Sequence, residues 1–190
     1  MRRKLFVDLG HSAKWPGAVG IKKETDWNRA IYRQLEALLR GVCIKKGWEL
    51  IAIPDKFFIE LSANNNLVQR IRWINARSKP SDLLLSLHGN AATNPKARGV
   101  TTCFMGGSEA ARLESIELSK AYSLTTGVPV WGGGAFDDRN NRYGRIGMVR
   151  DTTPFALLIE AGFVTNQEDM AVDSRKAAEG IAAYYQNSKF

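Results

Sequence analysis

Two runs in this chain, LLLSLH (83–88) and FALLIE (155–160), are almost continuously apolar and only as long as a strand. Runs of that kind occur where a sheet is covered by helices on both faces, which is the environment of parallel strands. The segments around them alternate in type. KLFVDL (4–9), WELIAIP (48–54), DLLLSLHGNA (82–91), residues 99–105 and PFALLIEAGF (154–163) read as strands. Between them, residues 25–40 place Trp27, Ile31, Leu35 and Leu38 at helical spacing, with Gly41 as the stop signal. Residues 64–66 offer helix-start chemistry before Leu67, Ile71 and Ile74, and Lys79-Pro80 breaks that helix. Ser108 can cap a helix carrying Leu113, Ile116, Ala121 and Leu124 that stops before Gly127. Asn166 opens a last helical region with Ala177, Ile181 and Tyr185 on one face, while residues 131–147, rich in Gly, Asp, Asn and Arg, read as a long surface loop. This order predicts an α/β fold with a mostly parallel sheet. No repeat, low-complexity stretch or linker interrupts it, so residues 1–190 are expected to form one domain.

The length of 190 residues, with 44% hydrophobic and 24% charged residues, suits a globular domain with a real core. No apolar run approaches the roughly 20 residues that a bilayer span needs, so membrane insertion is not expected. Cys43 and Cys103 lie far apart without a CxxC pattern and are expected to be small buried hydrophobes. The charge is strongly basic: 27 Lys and Arg against 19 Asp and Glu, a net +8. Such an excess favours a polyanionic partner (nucleic acid, anionic lipid or acidic envelope polymer) or serves solubility alone. Helix-turn-helix and RNA-binding signatures are not apparent, so nucleic acid is not expected as the partner. The N-terminal MRRKLFVDLGH has too short an apolar stretch for a signal peptide, and synthesis in the cytoplasm is expected.

In open α/β sheets, ligands bind beyond the carboxyl ends of the strands. Three predicted strands end in side chains able to bind metal or move protons: His11 after LFVDLG, His88 after LLLSL and Glu160 after ALLI. His11 and His88 are the only histidines in the chain. Glu24, 13 residues after His11, stands where the first long helix begins. Two histidines and a carboxylate make a common catalytic zinc set with a fourth position open, and Glu160 would then be the free carboxylate that moves protons. The same residues also have structural readings. Histidines do finish strands, and a carboxylate at a helix start interacts favourably with the helix dipole. Asp8 can buttress a ligand or cap the turn after its strand. Asn90 can contact substrate or orient its turn, and the turn is favoured. Trp15, Trp131 and the WGGGAFDDRNNRYGR loop can line a cleft or simply pack and move. The GGG run at 132–134 lacks a P-loop lysine and is no phosphate cradle.

VDLGHSAKWPGAVG with Glu24, then SLHGNA, then LLIEAGFVTN, resemble in order the signatures of zinc-dependent N-acetylmuramoyl-L-alanine amidases of the type-3 family. The resemblance spans nearly the whole chain. It implies a six-stranded twisted sheet flanked by helices, one zinc ion held by His11, Glu24 and His88, and Glu160 as the catalytic acid–base. It also implies peptidoglycan as substrate, cut at the amide between N-acetylmuramic acid and L-alanine. Leu9 stands where the family's opening has proline, Ser12 where glycine is usual, and Gly89 replaces a common alanine; no ligand is lost. The absence of a signal peptide and of a wall-binding segment favours a phage or prophage endolysin, made in the host cytoplasm and acting on the wall after release. Two rivals remain: a zinc carboxypeptidase or deacetylase with related site chemistry, and a non-catalytic basic binding protein. Oligomeric state is not legible from the residues.

Overall fold

The computed structural model describes residues 2–58, 63–141 and 144–190. Six strands form one sheet: β1 (Lys4–Asp8), β2 (Glu49–Ala52), β3 (Leu83–Asn90), β4 (Val100–Phe104), β5 (Val130–Asp137) and β6 (Phe155–Phe163). Their spatial order is β2-β1-β3-β6-β4-β5. Every neighbouring pair is parallel except β4 with β6. The apolar runs occupy the centre, β3 and β6, where Leu83, Leu84, Leu85, Leu87, Leu157, Leu158 and Ile159 are buried. Fully burying one such side chain contributes about 1.5–3 kcal/mol.

The helices are α1 (Glu24–Lys46), α2 (Ala63–Asn75), α3 (Glu109–Thr126), α4 (Gly147–Arg150), α5 (Gln167–Met170) and α6 (Ser174–Asn187). Helices α1, α3 and α6 pack on one face of the sheet. There Thr102 of β4 meets Ser119 of α3, and the Tyr122 hydroxyl donates to the Ala161 carbonyl at 2.7 Å. Helices α2 and α4 cover the other face, where Phe6 packs edge-on to Trp73 at 6.3 Å.

Helix α1 runs six residues further than the expected stop. Gly41 faces open space inside it, and Val42 and Cys43 continue the buried stripe of Trp27, Ile31, Leu35 and Leu39. That burial outweighs the roughly 1 kcal/mol that glycine costs a helix interior. The helix stops instead at Gly47, where the Trp48 N–H donates to the Cys43 carbonyl at 2.8 Å. Leu38, expected in the core, is 37% exposed because Leu39 takes the inward position. Ser108 caps α3 as expected, accepting from the Ala111 N–H. The buried face of α3 is nevertheless Ala111, Ser115, Leu118, Ser119 and Tyr122, while Leu113 and Leu124 point to solvent. Small and hydroxyl side chains allow close packing there: a Cβ on Gly180 of α6 would meet Tyr122 Cα at 3.0 Å. Asn66, expected at a helix start, lies inside α2 and accepts from Arg70 Nε at 2.8 Å. The last helical region divides into α5, capped by Asn166, and α6, capped by Asp173.

The expected loop at 131–147 is a correction. Residues 130–137 are strand β5, parallel to β4, followed by a 3₁₀ turn (Asp138–Asn140) and by α4. Between the pairs Val100–Val130 and Thr102–Ala135 the strand bulges, and Gly132, Gly133 and Gly134 all have positive φ. The glycines that read as a loop mark a bulge in an edge strand. Arg142 and Tyr143 of that segment lie outside the described residues. Cys43 and Cys103 are free and buried; burial pushes the Cys43 thiol up to about 11 and Cys103 well above the usual range.

Candidate metal centre

The first strand ends at Asp8, and a turn carries His11 just beyond it. His88 and Glu160 lie opposite each other in register on β3 and β6, a few residues before those strands end. Glu24 is the first residue of α1, which brings the helix start over the carboxyl ends of β1 and β3. The Asn28 side chain, one turn further on, fixes that approach: it donates to the carbonyls of Leu9 (3.2 Å) and Leu87 (2.8 Å) and so ties both histidine-bearing ends to α1.

The result is a cluster in which His11, Glu24 and His88 each offer a ligand atom, all within 4.8 Å of one another. His88 Nδ1 lies 2.8 Å and His11 Nε2 3.2 Å from Glu24 Oε1, which also accepts from the Gly89 N–H at 3.1 Å. The other oxygen, Oε2, accepts from the Ala18 N–H at 2.9 Å. The imidazole rings meet edge-on, 4.9 Å between centroids. Glu24 is only 3% exposed. Burial alone would raise its carboxyl, but hydrogen bonds and charge from His11 and His88 outweigh this and hold it well below the carboxylate range.

These residues fit a zinc ion. Two imidazoles and one carboxylate are a borderline-soft donor set of the catalytic kind. Space is also kept for it by Gly17. A Cβ there would stand 2.3 Å from Glu24 Oε2 and 2.7 Å from His11 Nε2, and φ is +74°. Only glycine brings the loop backbone this close in that conformation. Gly17 was not legible as a site residue; its only signal was the turn chemistry of Pro16-Gly17.

Glu160 is half-buried as a residue, yet its Oε2 atom is fully enclosed and has no hydrogen-bond partner among the described residues. Thr101, opposite it on β4, likewise has a buried hydroxyl without a partner. Burial, and secondarily the Glu24 charge, push the Glu160 carboxyl up to about 8. A carboxyl so placed can hold or release a proton near neutral pH. Asp8, completely buried below the cluster, does more than cap its turn. It accepts from Ser86 Oγ at 2.6 Å and from the Gly10 N–H at 3.2 Å, and it pairs with Arg70. Neither Ser86 nor Arg70 carried a signal in the sequence, since the topology alone brings them to Asp8. Asn90 Oδ1 accepts from the next N–H, Ala91, as a turn residue does. Trp15 is 44% exposed on the Gly17 loop, and Trp131 is 39% exposed with its ring 5.6 Å from Phe163.

The fold has solved counterparts. An N-acetylmuramoyl-L-alanine amidase from Clostridium difficile 630 superposes with a TM-score of 0.78 at 21% identity, over 100% of this chain and 99% of that one. The catalytic domain of CwlV, an N-acetylmuramoyl-L-alanine amidase from Bacillus (Paenibacillus) polymyxa var. colistinus, gives 0.73 at 24% identity, covering 96% and 95%. The catalytic domain of the CD27L endolysin targeting Clostridia difficile gives 0.73 at 24%, covering 97% and 94%. At these identities the likeness is one of fold. No curated protein matches the sequence significantly. The sequence model of one family, described as N-acetylmuramoyl-L-alanine amidase, does match, over residues 5–188. With the match spanning residues 5–188, nearly the whole chain, the chain belongs to the N-acetylmuramoyl-L-alanine amidase family.

Proposed function

We propose that this protein is a zinc-dependent peptidoglycan amidase, cutting the bond between the lactyl group of N-acetylmuramic acid and L-alanine. The observation that carries the zinc assignment is the convergence of His11, Glu24 and His88 within 4.8 Å around a glycine-lined gap. A zinc ion there supplies Lewis acidity, polarising a carbonyl and lowering the pKa of water to about 7.

The protein's own groups do the rest. His11, Glu24 and His88 hold the metal, with Ala18 and Gly89 N–H groups fixing the carboxylate and Asn28 fixing the two histidine-bearing segments. Glu160, with its unpartnered Oε2, takes a proton from the attacking water and returns one to the leaving amine of L-alanine. Neither rival reading gains a supporting observation: family membership favours the amide over a terminal peptide or acetyl group, and a mere binding protein has no use for this cluster.

Digestion of purified peptidoglycan tests the reaction. New alanine amines without new reducing sugar ends are expected, and a chelator should abolish them until zinc is restored. Reducing ends without amines would mark a glycosidase, and activity untouched by chelation would remove the metal.

We further propose an endolysin role, with synthesis in the host cytoplasm and action on the wall after release. Its support is the fold shared with an endolysin catalytic domain. Bacteria expressing the protein should lyse only when a separate membrane lesion is opened. Lysis without a lesion, or survival with one, would reject this role.

A further inference from the structure

At the end of the sheet opposite the metal cluster, where β1, β3 and β6 begin, basic side chains gather without carboxylate partners. The two ends are about 16 Å apart along β3, five residue steps from Leu83 to His88. The Lys4 ammonium donates to the Arg77 carbonyl at 2.8 Å, and Arg77 lies over the Trp73 ring at 4.6 Å. Arg3 stands 5.8 Å from the Trp48 ring and 6.0 Å from Phe190, and Lys46 stands over Trp48 at 4.9 Å. Lys79 joins them through Asp82, whose two oxygens accept from the Lys4 and Lys79 N–H groups.

Several cations elsewhere face a carboxylate, among them Arg98, Arg112, Arg150 and Arg175. Among the described residues, no salt bridge engages Arg3, Lys4, Lys46, Arg77 or Lys79. Carboxylates near this end include Asp82, which is buried and engaged by two backbone N–H groups, and exposed Glu49, which pairs in register with Lys4. Like charges held together by carbonyls and aromatic faces repel one another unless an anion is supplied from outside.

We propose that this pole is a docking surface for an anionic lipid bilayer, seating the protein peripherally with the metal cluster turned away from the membrane. The arrangement favours a plane over a strand of polymer. The cations are carried by three separate elements at this end of the sheet, the start of β1, the end of α1 and the segment after α2, and so do not follow a single groove. A polymer attached to the glycan being cut arrives at the metal cluster, and this face points the other way. Among the described residues no helix is long and apolar enough to cross a membrane, so the contact is peripheral. Basic segments near anionic leaflets are attracted in this way, and the attraction decays within a Debye length of about 8 Å at physiological salt.

The test compares two variants of the full chain that each lose four positive charges, at different places. One is Arg3→Gln, Lys4→Gln, Arg77→Gln and Lys79→Gln; the other is Arg33→Gln, Arg112→Gln, Lys120→Gln and Lys176→Gln, away from the pole. The unaltered protein should sediment with vesicles of equal phosphatidylglycerol and phosphatidylcholine, and not with phosphatidylcholine alone. The pole variant should lose at least tenfold in vesicle affinity and the control less than twofold. Turnover of a soluble muropeptide should stay unchanged in both, which separates this surface from the amidase reading. If the fourfold pole variant does not fold, Arg77→Gln with Lys79→Gln carries the same comparison. Equal losses in the two variants, or no preference for anionic vesicles, would overturn the proposal. So would displacement from the vesicles by free poly(glycerol phosphate) at equal phosphate concentration, which would make a wall polymer the better ligand.

Discussion

Glu160→Gln is expected to give a folded protein with near-normal zinc content and substrate binding, whose turnover is lower by at least about a hundredfold. Glutamine keeps the size of the side chain and removes its proton. Folding should tolerate it because Glu160 Oε2 makes no hydrogen bond that an amide would break, and a neutral side chain is easier to bury than a carboxylate. General acid–base groups commonly contribute about 10²–10⁴-fold in rate, which sets the size of the loss. Glu24→Gln is the contrast. Glu24 uses both oxygens, receiving Ala18, Gly89 and the two histidines, so an amide forfeits both charge and acceptor geometry. That variant should lose zinc as well as rate. Elemental analysis and muropeptide turnover, measured on both proteins, decide between the roles. Zinc lost from Glu160→Gln and retained by Glu24→Gln would show that the two glutamates had been assigned each other's work.

Why these four residues could be read from the sequence, and others could not, has a physical explanation. His88 and Glu160 stand in apolar runs whose burial forces strand structure, so their meeting follows once both strands are central and parallel. His11 and Glu24 were legible because they flank a short Gly/Pro loop that cannot carry them far apart. Arg70 and Ser86 stayed invisible because their contact with Asp8 joins residues 62 and 78 positions apart, and nothing local marks it. The bulge at Gly132–134 misled for a related reason: positive-φ glycines serve loops and bulged strands alike, and only the pairing of β5 with β4 distinguishes them. Helix α3 shows the same limit at its core face. Leu113 and Leu124 look like anchors, but the close approach of α6 at Gly180 selects alanine and serine positions instead. Local pattern thus identifies elements, while packing partners choose which face is buried.

Gly17 provides the sharpest test of the metal centre, because it bears no functional group at all. Gly17→Ala adds one methyl where the structure offers 2.3 Å to Glu24 Oε2, 2.4 Å to His11 Cδ2 and 2.7 Å to His11 Nε2. Distances below 3.0 Å require something to move. The Glu24 carboxylate cannot retreat freely, since Ala18 and Gly89 hold its two oxygens. His11 can swing outward, as its side chain is 36% exposed, but doing so removes a ligand from the cluster. The backbone cannot easily relax either: φ is +74°, and a non-glycine residue in such a conformation costs about 1–3 kcal/mol. Both effects act on the loop that carries His11 toward Glu24, leaving the sheet and helices untouched. The variant should therefore fold with a thermal transition only modestly lowered, yet bind zinc at least about tenfold more weakly, in the range that displaced supporting groups produce at metal sites. Turnover at limiting zinc should fall with it and recover in part at high zinc. A Gly17→Ala protein that holds one zinc per chain at normal affinity and turns over muropeptide normally would place the metal, and the chemistry, somewhere other than between His11, Glu24 and His88.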